Sequence, residues 1–113
     1  MKRSLTKRER IKKYNDFKII FKKAKRTDVR GLKILFVKNS LTWNRIAIVT
    51  GRGYKLSVLR NKVKRQVRDI YRNLKHSMKN GYDIIFIPYT GDYSYKERFK
   101  QIHKALLLSG ILL

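Results

Sequence analysis

Residues 57–75, SVLRNKVKRQVRDIYRNLK, constrain the fold of this chain more than any other stretch. At about 100° per residue, Leu59, Val63, Val67, Ile70, Tyr71 and Leu74 share one arc of roughly 120°. Asn61, Lys64, Arg65, Arg68, Arg72 and Lys75 take the opposite side, with Asp69 on the flank. The pattern predicts an amphipathic helix over about 58–77 with Ser57 as its N-cap, and its apolar stripe must be covered by other elements. The other face is almost purely cationic, and held rigidly it suits a polyanion.

That face is one part of a wider charge excess. The chain has 30 Lys and Arg against 7 Asp and Glu in 113 residues, a formal charge of +23, spread from Lys2 to Lys104. Hydrophobic residues make up 42%, enough for a single folded domain over 1–113 rather than a disordered basic tail. A folded body that repels itself this strongly points to a polyanionic partner, nucleic acid first and an anionic membrane surface second. No run approaches the roughly 20 apolar residues of a spanning helix. The absence of cysteine excludes disulfides, thiolate metal sites and cysteine nucleophiles. Residues 1–13 are basic without apolar period and read as an irregular arm. No apolar run follows them, so they are not read as a secretory signal, and a cytoplasmic location is expected.

The remaining elements follow from periodicity. Phe17, Ile20, Phe21 and Ala24 recur at helical spacing and predict a first helix over about 15–25, capped by Asn15. A short strand is possible at Thr27–Arg30. Leu32–Lys38 predicts a strand with Leu32, Ile34 and Phe36 on one face, and Trp43–Thr50 predicts the next. The Asn39-Ser40 turn between them suggests an antiparallel hairpin. Tyr82–Ile87 is a nearly continuous apolar strand ended by Pro88. Ser94 and Glu97 form a capping box for a last helix over about 95–109, with Phe99, Ile102 and Leu106 as its stripe and Gly110 at its end. The expected architecture is a two-layer α+β sandwich, three helices on a small mixed sheet of three to four strands, in the order α-β-β-(β)-α-β-α.

Protein-borne catalysis finds little support. The carboxylates Glu9, Asp16, Asp28, Asp69, Asp83, Asp92 and Glu97 are scattered, without the spacing of an acid–base pair or a metal box. His76 and His103 could in principle form an acid–base pair that cleaves RNA, but solvated surface histidines are the plainer reading. Gly51-Arg52-Gly53 is too short for a phosphate loop. Neither catalytic nor metal-ligating residues are therefore expected. Binding is better supported: arginines on the helix face fit phosphate oxygens, and Asn61 can read a base edge or a sugar hydroxyl. Phe17 and Phe21 read first as core, although in so basic a chain they could line a cleft for unstacked bases.

Arg60-Asn61-Lys62-Val63-Lys64-Arg65, followed by Arg68, resembles the RNR signature of the bacterial ribonuclease P protein component. Arg10-Ile11, Asp16-Phe17 and Ile20-Phe21 are similar to the family's N-terminal motif, and the likeness continues through Arg45–Val49 and residues 82–87. Lys62 stands where the family usually has the second arginine of its signature. Arg52-Gly53 and Lys55 stand where it has a lysine pair and a glycine, and Ala24 where a glycine often ends the first helix.

The resemblance implies a ribosomal-protein-S5-domain-2-like fold with a left-handed βαβ crossover. It also implies a protein cofactor for a catalytic RNA that removes the 5′ leader of precursor tRNA with Mg²⁺ held mainly by the RNA. Arg60, Asn61, Lys62, Lys64, Arg65, Arg68 and Arg72 would then bind the catalytic RNA, and Phe17, Phe21 and Arg52 the single-stranded leader, with no membrane or protein partner required. The alternatives are an RNA-binding protein of ribosomal type, a protein nuclease using His76 and His103 and, last, a DNA-compacting protein.

Overall fold

The computed structural model describes residues 7–51 and 53–113. After a 3₁₀ turn at Lys7–Glu9 come α1 (Tyr14–Lys23), β1 (Lys25–Val29), β2 (Leu32–Lys38), β3 (Arg45–Ile48) and α2 (Ser57–Leu74). A 3₁₀ turn at Lys75–Ser77, β4 (Tyr82–Pro88) and α3 (Tyr95–Leu108) complete the order. The sheet runs β1-β2-β4-β3, with β4 antiparallel to β2 and parallel to β3.

The predicted β2–β3 hairpin is therefore corrected, because β4 lies between the two strands. Ile84, Ile85 and Phe86 are fully buried, so β4 is apolar on both faces and belongs at the centre of the sheet. Residues 39–44 do not turn tightly but are held against the start of β4. Asn39 Nδ2 donates to Trp43 O (3.2 Å) and Asp83 Oδ1 (2.9 Å), and Asn39 Oδ1 accepts from the Leu41 N–H. Asn44 Nδ2 donates to Lys79 O, and its Oδ1 accepts from the Tyr82 N–H, both at 2.8 Å. The hairpin of this fold joins β1 to β2 with Val29 opposite Leu32, and Gly31 takes φ +83° in its turn.

Strand alternation sorts the core into two clusters. Leu32, Ile34, Ile46, Ile84 and Phe86 face α2 and α3, which contribute Val63, Val67, Ile70, Tyr71 and Leu74 and then Ile102, Ala105 and Leu106. Burying each Val, Leu or Ile here stabilises the fold by roughly 1.5–3 kcal/mol. Among the described residues, the opposite face, with Leu35, Val37, Ala47, Val49, Ile85 and Ile87, is covered by Ile11, by Phe17 and Ile20 of α1 and by its C-cap Ala24. The α+β class is as expected, with the two longer helices layered on one face and α1 alone on the other.

The capping box of α3 is present: the Glu97 N–H donates to Ser94 Oγ and the Ser94 N–H to Glu97 Oε1, each at 3.1 Å. The other two predicted caps are not. Ser57 lies inside the first turn of α2, after an extended Leu56 without a side-chain cap. Arg60 ties this end instead, donating to Tyr54 O (2.8 Å) and Ser57 Oγ (3.1 Å). Asn15 lies inside α1, whose N-cap is Lys13. The entry to α1 is set by Ile11, buried and bonded through its N–H to Ile46 O (2.9 Å), so residues 7–13 of the arm run along the β3 edge. β3 is shorter than predicted because Trp43 turns away: its indole N–H donates to Arg8 O (2.9 Å), and the Arg8 guanidinium sits 4.9 Å over the ring.

Candidate nucleic-acid interface

Packing of Val63, Val67, Ile70, Tyr71 and Leu74 onto the sheet fixes the rotation of α2, and with it the direction of the basic face. Leu59 of the predicted stripe is 48% exposed, at the rim of a cavity that Lys62 also lines. Asn61, Lys62 and Arg65 are exposed, and Lys64, Arg68 and Arg72 half-buried. Among the described residues, no carboxylate lies within ion-pair distance of Lys62, Lys64, Arg65, Arg68 or Arg72. The one acid on the helix, Asp69, accepts a 2.6 Å hydrogen bond from the Tyr95 hydroxyl. Lys75 leaves the free face by pairing with Glu9 at 3.6 Å. Arg60 is the predicted contact with the most internal work, since two of its nitrogens already hold the helix start.

The opposite side of the sheet forms a second surface. Phe17 is half-buried against the Ile20–Ile85 cluster, and Phe21 is 53% exposed; their rings stack with centroids 6.5 Å apart and planes 26° apart. Leu35, Ala47, Val49 and Ile87 lie half-buried on the same face. Phe17 thus serves the core with part of its surface and leaves the rest open. Arg52, the third residue expected here, lies outside the described residues.

One end of this face is closed by a polar cluster that the sequence reading missed. Arg45 donates from Nε and Nη2 to the two oxygens of Asp83 (2.9 and 2.7 Å) and from Nη1 to Asp16 Oδ2 (3.4 Å). The hydrogen bonds to Asp83, helped by its charge and that of Asp16, raise the Arg45 guanidinium above its ordinary pKa. The signal was an acid inside an apolar strand, which needs a cation, and an arginine at the matching register of the parallel neighbour.

A second unforeseen residue is Arg98, 2% exposed on the apolar side of α3. Its Nη1 donates to Gly31 O (2.8 Å) and Gln101 Oε1 (3.0 Å), and its Nη2 to Tyr89 O (2.6 Å) and the Tyr54 hydroxyl (3.1 Å). The guanidinium also lies 4.6 Å from the Tyr93 ring centre. Burial lowers its pKa, opposed by Tyr54 and Tyr93. It ties together the β1–β2 turn, the approach to α2 and the end of β4. An arginine placed four and seven residues before Ile102 and Ala105 was the available sign.

His76 and His103 are both exposed and line different cavities, so the fold does not bring them into one site. Among the described residues, no three His, Asp or Glu side chains gather as a metal cluster, and no helix is long and apolar enough to cross a membrane. What the geometry offers is binding: a rigid cationic helix on one side of the sheet and an open aromatic–apolar surface on the other.

The chain is similar to known proteins over most of its length. The family model described as Ribonuclease P matches residues 5–108. The chain is 41% identical over 88 residues to the ribonuclease P protein component of Thermotoga maritima, covering 78% of this chain and 75% of the relative. It is 33% identical over 102 residues to that of Clostridium botulinum, covering 89% and 90%. Among solved structures, the fold matches a Staphylococcus aureus RNase P protein mutant described as having defective mRNA degradation activity. That match has a TM-score of 0.87 and 27% identity over 94% of this chain and 92% of the other. The T. maritima RNase P protein matches with a TM-score of 0.71 and 33% identity, over 89% and 94%.

Proposed function

We propose, from the premise that this chain belongs to the ribonuclease P protein family, that it grips two RNA segments at once, one on each side of its sheet. Membership makes it the protein subunit of a tRNA-processing ribonuclease, with ribonuclease P RNA as its partner. In our reading the catalytic RNA lies on α2, against Lys62, Lys64, Arg65, Arg68 and Arg72, with Asn61 and the outward part of Arg60 beside them. The 5′ leader of precursor tRNA lies across Phe17 and Phe21, with Arg52 as a further contact. The observation that carries this is the arrangement of the two surfaces. The cations without an acidic partner among the described residues project from the helix layer, and the stacked phenylalanines lie on the opposite sheet face, with Ile11 and α1.

In this mechanism the RNA holds Mg²⁺ and cuts the phosphodiester bond, and the protein contributes charge and position. Cations on α2 neutralise phosphates where two polyanions must approach, which lowers the Mg²⁺ needed for assembly. Rings that stack on leader bases add affinity for the precursor that the matured tRNA lacks, so product leaves. The test is cleavage of a precursor tRNA by the transcribed ribonuclease P RNA at low Mg²⁺, with and without the protein. Strong stimulation together with inactivity of the protein alone is expected; no stimulation by folded protein would refute the reading.

A second reading is favoured by one observation, the mRNA degradation activity named for the S. aureus relative. Cleavage of RNA by this protein alone would support it. The separation of His76 from His103 argues against those two residues as its acid–base pair.

A further inference from the structure

The RNA-facing side of the molecule does not end at α2. On α3, Tyr95, Phe99 and His103 recur every four residues, and the Phe99 and His103 rings stack with centroids 6.3 Å apart and planes 19° apart. They line a groove of about 490 Å³ together with Lys96 and Lys100. At about 100° per residue, the aromatic row lies between the buried stripe of Ile102 and Leu106 and a row of Lys96, Lys100 and Lys104. The groove lining contains no carboxylate, and Asp69 accepts from the Tyr95 hydroxyl; among the described residues Glu97, held in the cap by Ser94, is the one acid whose charge acts on Lys100.

We infer that this strip is a second docking site for the ribonuclease P RNA, taking an unpaired stretch with bases against the rings and phosphates on the lysines. Four residues of helix rise about 6 Å. That exceeds the 3.4 Å step of stacked bases, so the strip suits a strand whose bases are splayed. The choice of RNA follows from the fold. α3 packs on the same sheet face as α2 and is joined to it by Tyr95, which donates to Asp69 and accepts from Asn73 Nδ2 (3.2 Å). The phenylalanine surface lies on the other face. An RNA lying on α2 therefore continues onto α3, whereas the leader would have to cross the molecule. This inference rests on the proposed contact between α2 and the catalytic RNA.

The test measures binding of full-length protein to transcribed ribonuclease P RNA across a salt series, with melting followed to establish folding. The double variant Lys96→Gln/Lys100→Gln is expected to lower the slope of log affinity against log salt by about two. His103→Ala is expected to weaken binding between about five-fold and a hundred-fold with the slope unchanged. The chain has no cysteine, so Leu107→Cys, at a position 54% exposed, gives a unique anchor for a hydroxyl-radical probe. Cuts are expected in unpaired nucleotides of the ribonuclease P RNA whether or not precursor tRNA is present. Wild-type binding by both α3 variants, with Arg65→Ala still weakened, would overturn the strip and leave the α2 contact standing. Wild-type binding by Arg65→Ala as well would overturn the α2 contact itself. Cuts confined to the leader would overturn the assignment to the catalytic RNA.

Discussion

Among the described residues six cations on α2 have no acidic partner, and the five that remain when Arg60, which holds the helix start, is set aside fix how the complex should respond to salt. If Lys62, Lys64, Arg65, Arg68 and Arg72 each neutralise one phosphate, log affinity should fall against log salt with a slope of about −4.5, taking 0.9 per contact. Raising salt four-fold, from about 50 to about 200 mM, then weakens binding by about 500-fold. Replacing Arg65 and Arg68 together by alanine leaves three contacts and a slope of about −2.7, so the same change costs only about 40-fold. Among the described residues neither guanidinium pairs with an acid, and the Arg68 carbonyl accepts from Arg72 Nε at 3.4 Å. The fold should therefore survive the double substitution. The measurement is filter binding of the ribonuclease P RNA at four or more salt concentrations, with thermal melting of each protein alongside. A double variant that bound more weakly at every salt concentration but kept the wild-type slope would refute the reasoning, because the lost contacts would not be phosphate contacts. Contacts from α3 would steepen both slopes equally and leave their difference of about 1.8 unchanged.

Phe21→Ala should alter stability by less than about 1 kcal/mol, because the ring is largely exposed, yet reduce the preference for leader-bearing over leaderless tRNA by about five-fold or more. Equal binding of the two substrates by the wild-type protein would remove the basis for that expectation. Asp83→Asn should destabilise the fold by about 2–4 kcal/mol in urea unfolding, since it removes the buried counter-charge of Arg45 and turns one of the two accepting oxygens into a donor; an unchanged midpoint would show that the pair is dispensable. Glu97 accepts hydrogen bonds in the capping box, from the Ser94 backbone foremost, and its carboxyl is held below the usual range. Its contribution is thus present above the ordinary glutamate pKa of about 4.3 and is lost as pH falls through the lower folded value. The stability difference between wild type and Glu97→Gln should accordingly shrink below about pH 4, and a difference independent of pH would count against it.

Local features of the fold were readable where one residue type has one dominant use. Leu32–Lys38 was bounded correctly because its alternation is regular, and Ser94 with Glu97 marked the start of α3 because the two satisfy each other's backbone groups. Ser57 and Asn15 misled because a polar residue near the first periodic position is only a candidate cap. At both helices the entry point is set by tertiary contacts, Arg60 to Tyr54 in one case and Ile11 to Ile46 in the other. Strand order was beyond local reading, since pairing β3 with β4 across the whole of α2 depends on contacts distant in sequence. The cationic face of α2 was legible from charge and period alone. The phenylalanine surface was not, because a ring on a helical stripe looks the same whether the sheet beneath it is covered or open. Arg98 escaped because an arginine on an amphipathic helix is assigned to water, whereas here carbonyls of two loops and a tyrosine hydroxyl take its place.

The disposition of the seven acids explains how so basic a chain can fold and still present an unneutralised surface. Asp83 and Asp16 hold Arg45, Asp28 pairs with Arg26 at 3.0 Å, and Glu9 pairs with Lys75. Asp69 accepts from Tyr95, Glu97 caps α3, and Asp92 lines the cavity beside Arg98. Six of the seven are thus engaged within this chain, and among the described residues none forms an ion pair with the outer face of α2, while Glu97 alone acts on the lysine row of α3, through Lys100. Acids paired with the α2 cations would have lowered self-repulsion at the expense of competing with phosphate. By keeping its carboxylates, the exposed Asp28 and Asp92 included, out of ion pairs with the α2 cations, the fold leaves that face unneutralised. Adding a new acid to the α2 face, for example Asn61→Asp, should then weaken RNA binding while it eases repulsion and stabilises the free protein. Opposite signs in the two measurements are the signature of a surface whose charge serves the partner and not the fold.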